Sequence, residues 1–304
     1  MIYQRTIADS VSITGIGIHS GKKVTLTLHP SDSDTGIRFR RVDLPEQPIL
    51  KADAINVGAT ENATTIGKGR EAIHTIEHLI SALYGFGIDN VLCDLDGPEI
   101  PIMDGSSGPF TFVLKEIGIT HLSKVKSIMV IKKPVRVDYG EKWATIEPHP
   151  SLCIESTIVF SHAVISKQCF SFEFNFENYM KQISRARTFG FLKDADMLKR
   201  KGLARGGSLN NAIIIDDNGV MNPDGLRFRD EFIRHKILDT IGDVSLLGHQ
   251  IAGKITTYKS GHHVHNLLCR KVLEDPSNYE IISAQVAEAE QEEYAPSLSL
   301  AATL

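Results

Sequence analysis

The chain has 304 residues, 42% hydrophobic and 23% charged, enough to bury one large core or two smaller ones and too apolar to read as disordered. A formal charge of -4 leaves no positive field to hold a polyanion, which argues against nucleic acid as a partner. Four scattered cysteines without a Cys-x-x-Cys pair fit reduced thiols in a cytoplasmic protein; no window reaches the roughly 18 apolar residues of a membrane span, and no apolar stretch follows the N-terminus.

Residues 12–18, 23–28 and 36–40 alternate apolar with small or polar side chains, which predicts three strands separated by turns. A helix is predicted over 73–84, with Ile76, Leu79, Ile80 and Leu83 on one face and Gly85 and Gly87 past its end. A strand over 90–95, a turn-rich loop over 98–105 and a helix over 107–117 follow. The second half repeats this order, with strands between 127 and 171, a helix over 232–247, a strand over 251–258 and a helix over 261–273. Helix-strand-helix thus closes each half, as an internal duplication would arrange it. The expected fold is α+β: two similar layered domains, each a mostly antiparallel sheet packed on helices, with the site between them. The expected limits are 1–124 for the N-terminal domain, 125–285 for the C-terminal domain and 286–304 for a tail in which 287–293 form an exposed acidic helix. A Gly- and Arg-rich insertion between 184 and 211 has the character of a segment that lines a site.

The helix over 232–247 sets His235, Asp239 and Asp243 in one row, four residues apart. An imidazole and a carboxylate so spaced can share a cation, and the next carboxylate can orient a neighbour; alone, the pair reads equally as a helical surface pair. His74-Thr75-Ile76-Glu77-His78 matches H-x-x-E-H, in which both histidines bind zinc and the glutamate is the base, or else is an ordinary polar helix face. Together the two stretches offer two histidines and one aspartate, the three protein ligands of a catalytic zinc site with one position left open. Neighbouring helical residues point about 100° apart, so Glu77 does not chelate an ion held by His78 and is free to act on a water.

Ser260-Gly261-His262-His263-Val264-His265 places three histidines at a helix start. The helix terminus disfavours charge on His262 and a carboxylate such as Asp243 favours it, and such opposed influences poise a general acid near neutral pH. His263 and His265 read as solvated residues of the first turn. Thr188, between Arg187 and Phe189, offers a hydroxyl to an oxyanion or is simply a strand residue. Asp104-Gly105-Ser106 and Asn222-Pro223-Asp224-Gly225 read as turns.

Several long stretches, in one order, resemble the zinc-dependent UDP-3-O-acyl-N-acetylglucosamine deacetylases of lipid A biosynthesis. They are Thr14-Gly15-Ile16-Gly17-Ile18-His19-Ser20-Gly21, Thr75-Ile76-Glu77-His78-Leu79, Glu99-Ile100-Pro101-Ile102-Met103-Asp104-Gly105-Ser106, Ser184-Arg185-Ala186-Arg187-Thr188-Phe189-Gly190, Arg234-His235-Lys236-Ile237-Leu238-Asp239 and Ser260-Gly261-His262. The resemblance implies that His78, His235 and Asp239 hold one catalytic Zn2+, that Glu77 is the general base, and that His262, oriented by Asp243, is an acid or electrostatic stabiliser. It implies that Thr188 assists the oxyanion, that Phe189 and Lys236 meet the sugar and phosphate region of the substrate, and that the insertion near 190–213 forms an acyl-chain passage. The implied protein is a cytoplasmic zinc amidohydrolase that frees acetate from an acylated UDP-sugar, the committed step of lipid A biosynthesis. No nucleic-acid partner and no integral membrane segment are expected, and a monomer is the default. The rivals are a zinc peptidase using His74 and His78, and a non-catalytic module that binds an acylated nucleotide sugar. The family's zinc takes the histidine after the glutamate and needs none at the position of His74, which weighs against the peptidase.

Overall fold

The computed structural model describes residues 2–284, so the expected acidic helix and tail lie outside the described residues. In the first half, β1 (Tyr3–Ile7), β2 (Val11–Ile16), β3 (Lys23–Pro30), β4 (Ile37–Arg41) and β5 (Ile49–Lys51) precede a short ladder of β6 (Val57–Ala59) and β7 (Thr65–Ile66). Then come α1 (Glu77–Gly85), β8 (Val91–Leu95) and α2 (Gly108–Ile117). One sheet runs in the order β2-β3-β8-β4-β5 and is antiparallel except for the β4–β8 pair. The two-residue period of β3 buries Val24, Leu26 and Leu28 in the same core as Ile76, Leu79, Ile80 and Leu83.

Past α2, β9 (Ile119–Val125) pairs antiparallel with β1, so the residues near the expected domain boundary form a strand on the N-terminal one. The second half continues with β10 (Ser127–Ile131), β11 (Val135–Tyr139), β12 (Lys142–Glu147), β13 (Leu152–Val159), β14 (Lys167–Glu173) and a single turn, α3 (Phe176–Asn178). The inserted segment begins with β15 (Phe189–Phe191) and α4 (Ala195–Arg200); β16 (Ile213–Asp216) and β17 (Gly219–Val220) follow, and the three strands form a small sheet of their own. The chain then enters α5 (Glu231–Val244), β18 (Gln250–Tyr258), α6 (His262–Glu274) and β19 (Tyr279–Ser283). β18 is the axis of the larger sheet, antiparallel to β12 and parallel to β10 and β13; the other pairs of that sheet are antiparallel. The expected α+β class, sheets packed on helices, is what the chain adopts, and α1-β8-α2 and α5-β18-α6 are the two closing units. No helix among the described residues is long and apolar enough to cross a membrane.

The first helix departs from expectation. It begins at Glu77, not at 73, because Ile73 and His74 are extended and bridge to Ile66 and Glu99, and Thr75 sits at φ +61°. A β-branched residue in the left-handed region stops a helix from propagating upstream. His74 and His78 therefore do not share a helix.

Candidate active site

α5 is buried over nearly its whole length, including His235, Asp239 and Asp243. Its polar groups must find partners inside the protein. α1 packs against it with Gly242 facing the backbone of Glu77, and the start of α1 is thereby brought over the row of polar residues.

The ligand atoms of His78, His235 and Asp239 all lie within 4.8 Å of one another. Asp239 Oδ1 is 3.6 Å from His78 Nε2 and 3.3 Å from His235 Nε2. His235 Nδ1 donates to the Ala186 carbonyl at 3.0 Å, which leaves the Nε2 lone pair toward the carboxylate. Lys236 Nζ donates to Asp239 Oδ2 at 2.9 Å, while Asp239 Oδ1 and His78 Nδ1 are buried without a hydrogen-bond partner. Burial lowers the His235 pKa to about 3, so that imidazole is neutral and competent as a ligand. Burial also opposes charge on Asp239, but its neighbours His235 and Lys236 outweigh it and hold the carboxyl well below the usual range. Two imidazoles and a carboxylate with an orphaned oxygen fit a divalent ion of intermediate softness such as zinc.

The carboxylates of Glu77 and Asp243 stand beside this trio and share one support. Glu77 Oε2 accepts from the Thr64 amide at 3.0 Å, and Asp243 Oδ1 accepts from the Thr64 hydroxyl at 2.5 Å. Glu77 Oε1 is 3.9 Å from His262 Nε2, and His262 Nδ1 is 2.8 Å from Asp243 Oδ2. Burial pushes the Glu77 pKa up, toward the range of a working base. Burial works against charge on His262, but Asp243 and Glu77 outweigh it and raise its pKa to about 9. His265 is not solvated as expected: it is 1% exposed, with Nδ1 2.8 Å from the same Asp243 oxygen and Nε2 2.9 Å from Ser260 Oγ. Residues 262 and 265 lie one turn apart on the α6 face that meets α5. His263 points away, to Thr60 at 3.2 Å, in keeping with its solvated reading.

A cavity of about 440 Å³ connects these groups to the inserted segment. Glu77, His78, His235, Asp239, His262, Thr188, Phe189 and Lys236 line it, and its other walls include Phe191, Leu192, Leu198, Leu209, Ile214 and Met221. Thr188 is fixed by its backbone, donating to the Gly105 carbonyl and accepting from the Ile213 amide, both at 2.8 Å. That register demands glycine at 105, at φ +88°, where a Cβ would lie 2.2 Å from the Asn211 carbonyl oxygen. The Phe189 ring packs on Phe232 and has Lys236 Nζ 5.6 Å from its centroid. Of the residues expected at a site, His74 alone stands apart: its Nδ1 is 2.9 Å from Thr65 Oγ1, and it does not line the cavity.

Four participants had no role assigned from the sequence, although His19, Thr75 and Glu99 lie in the stretches that carry the resemblance. Thr64 is the shared support just described. Glu99, 1% exposed, accepts from the His19 amide (2.8 Å), the Ser20 amide (2.8 Å) and the Thr75 hydroxyl (3.1 Å). His19 and Thr75 both line the cavity, and burial lowers the His19 pKa. Beyond its place in a resembling stretch, Glu99 offered only the signal of an acidic residue in a Pro-rich loop, which taken alone reads as a surface group.

A trio with an orphaned carboxylate oxygen, a separate buried carboxylate and a cationic imidazole, all opening on one cavity, is the arrangement of the metal-dependent hydrolases. Over residues 4–274 the chain matches the family model described as UDP-3-O-acyl N-acetylglycosamine deacetylase. It is 48% identical over 282 residues to the UDP-3-O-acyl-N-acetylglucosamine deacetylase of Geobacter sp. (strain M21), covering 93% of this chain and 92% of that one. It is 49% identical over 287 residues to the protein so named in Myxococcus xanthus (strain DK1622), covering 94% and 91% of the two chains. With the one in Methylococcus capsulatus (strain ATCC 33009 / NCIMB 11132 / Bath) it shares 47% identity over 298 residues, covering 97% and 96%. This chain belongs to the UDP-3-O-acyl N-acetylglycosamine deacetylase family.

Proposed function

We propose that the chain hydrolyses the N-acetyl amide of a UDP-3-O-acyl-N-acetylglucosamine, yielding the free amine and acetate, as a cytoplasmic monomer with one Zn2+ held by His78, His235 and Asp239. The observation that carries the reading is Asp239 Oδ1, buried without a partner between two imidazole nitrogens and beside a separate base and a separate acid. When bound, the ion would polarise the amide carbonyl and lower the pKa of a water toward about 7.

The protein's own groups handle the protons. Glu77 takes one from the attacking water as the new C–O bond forms, and burial, which raises its pKa above that of an ordinary glutamate, makes it a stronger proton acceptor. The Thr188 hydroxyl donates to the developing oxyanion. His262, cationic at neutral pH, stabilises that charge and gives its proton to the nitrogen as the C–N bond breaks, which an amine leaving group requires. Asp243 holds the His262 ring through Nδ1, so that Nε2 faces the reaction. Lys236 and Phe189 would meet the sugar and phosphate region, and the apolar wall from Phe191 to Met221 suits the acyl chain.

The peptidase reading needs His74 and His78 at one ion, and His74 is bonded to Thr65 outside the cavity. The test is acetate release from UDP-3-O-acyl-N-acetylglucosamine by metal-free protein and after one equivalent of zinc. Release restored by zinc supports the proposal; folded, zinc-loaded protein inert across several acyl lengths would overturn it in favour of a binding module.

A further inference from the structure

The outer face of the inserted segment combines exposed apolar groups with a local excess of positive charge. Leu192, Met197, Leu209 and Met221 are 39–47% exposed, and all but Met197 also line the cavity, so they rim the opening of its apolar arm. Ile16, 46% exposed, lies against the same segment: its Cγ2 is 2.9 Å from where a Cβ on Gly206 would sit. Lys193, Lys199, Arg200, Lys201 and Arg205 are exposed along the same stretch, opposed there by the carboxylates of Asp194 and Asp196, with Glu61 paired to Lys201 at 3.3 Å. The stretch is therefore basic on a chain whose net charge is -4. It is held in place from below, with the Arg205 and Gly206 amides donating to the His19 and Ile18 carbonyls at 3.3 and 3.0 Å.

We propose that this face docks peripherally on an anionic phospholipid surface. Leu192, Met197 and Leu209 would enter the head-group layer, and Lys193, Lys199 and Arg200 would lie against lipid phosphates. Large aliphatic side chains ringed by flexible cations suit a diffuse negative plane with an apolar interior, and each feature alone binds such a surface weakly. The cations are spread along α4 and its flanks, and of the five only Lys199 also reaches the cavity, which favours a charged plane over a discrete acidic ligand. Docking there sets the mouth of the cavity's apolar arm against lipid, a relation to the acylated substrate that rests on the function proposed above. The surface itself is tested without substrate, so the two readings can fail separately.

The experiment is co-sedimentation of the full chain with phosphatidylcholine vesicles, with and without phosphatidylglycerol. Binding is expected only where phosphatidylglycerol is present, and to weaken as salt screens it. Lys193→Glu with Arg200→Glu should lower the partition at least about tenfold, since each cation near such a surface is worth roughly fivefold. Neither residue lines the cavity, so acetate release from a dissolved short-chain substrate should be unchanged. Met197→Ser should lower the partition while leaving its salt dependence, and Lys132→Glu with Lys133→Glu, exposed elsewhere, should leave binding intact. No preference for phosphatidylglycerol, or an equal loss in the Lys132/Lys133 control, would overturn the proposal.

Discussion

A Cβ placed on Gly242 would lie 2.2 Å from the carbonyl oxygen of Glu77, closer than any real contact allows. The two helices that supply the His78, His235 and Asp239 trio meet at this point, and the proposed base is the residue whose backbone is touched. Gly242→Ala gains helix propensity but must push α1 away, and overpacking of this kind costs about 1–3 kcal/mol. The expected result is a lower denaturation midpoint together with a fall in kcat beyond what the unfolded fraction explains. An unchanged midpoint with full activity would show that the contact relaxes freely.

The division of roles predicts different metal contents. Glu77→Gln should cut kcat by at least about 100-fold while keeping the ion, because the role proposed for Glu77 is to accept a proton and not to hold the metal. His78→Ala and Asp239→Ala should lose both activity and metal. His74→Ala should keep its metal and sacrifice only the Thr65 hydrogen bond, about 1 kcal/mol. Metal analysis of purified variants decides this, and equal depletion in all four would refute the assignment.

His262 gives the clearest pH signature. Its folded pKa of about 9 lies above the unfolded value of about 6.5, so the charged ring stabilises the fold fully below pH 6.5, and that contribution fades as pH rises through 9. For the metal-free protein the loss is on the order of 3 kcal/mol. Asp243→Asn removes the main charge opposing burial, so the ring should titrate lower and kcat at neutral pH should drop by roughly 100-fold. NMR titration of both metal-free proteins checks the shift; an unmoved His262 resonance would place its stabilisation elsewhere.

The apolar arm predicts selectivity by length. Leu198 lines it from α4, and Leu198→Trp fills part of that volume. KM should rise for long-acyl substrates and change little for short ones, at similar kcat for each. A uniform rise across lengths would mean that the chain lies elsewhere.

How much of this could be read from the amino acids varied with the kind of residue. α5 was legible because fourteen residues of strong pattern carry it, and the row His235, Asp239, Asp243 follows from its geometry alone. The start of α1 was not: the apolar period runs upstream of Glu77, and what stops it is Thr75 at φ +61°, held by the buried Glu99 carboxylate. Local pattern cannot reveal a backbone choice imposed by a residue 24 positions away. His265 failed for a related reason, since a histidine in a first helical turn is ordinarily wet and only the fold puts Asp243 beneath it. Glu99 and Thr64 act through hydrogen bonds to backbone and to other side chains, and nothing in their neighbours' identities announces such a duty.

The trio that would hold the ion is divided by more than 150 positions of chain, His78 on one side and His235 with Asp239 on the other. A polypeptide synthesised only as far as residue 234 offers one of the three groups, and the complementary fragment offers two. Neither piece can grip a metal as the whole does, so an ion arriving early during synthesis is easily released, and retention begins only when distant parts of the chain have come together. Tight metal uptake would thereby mark completed folding, and a cleaved or half-made chain would not hold the ion.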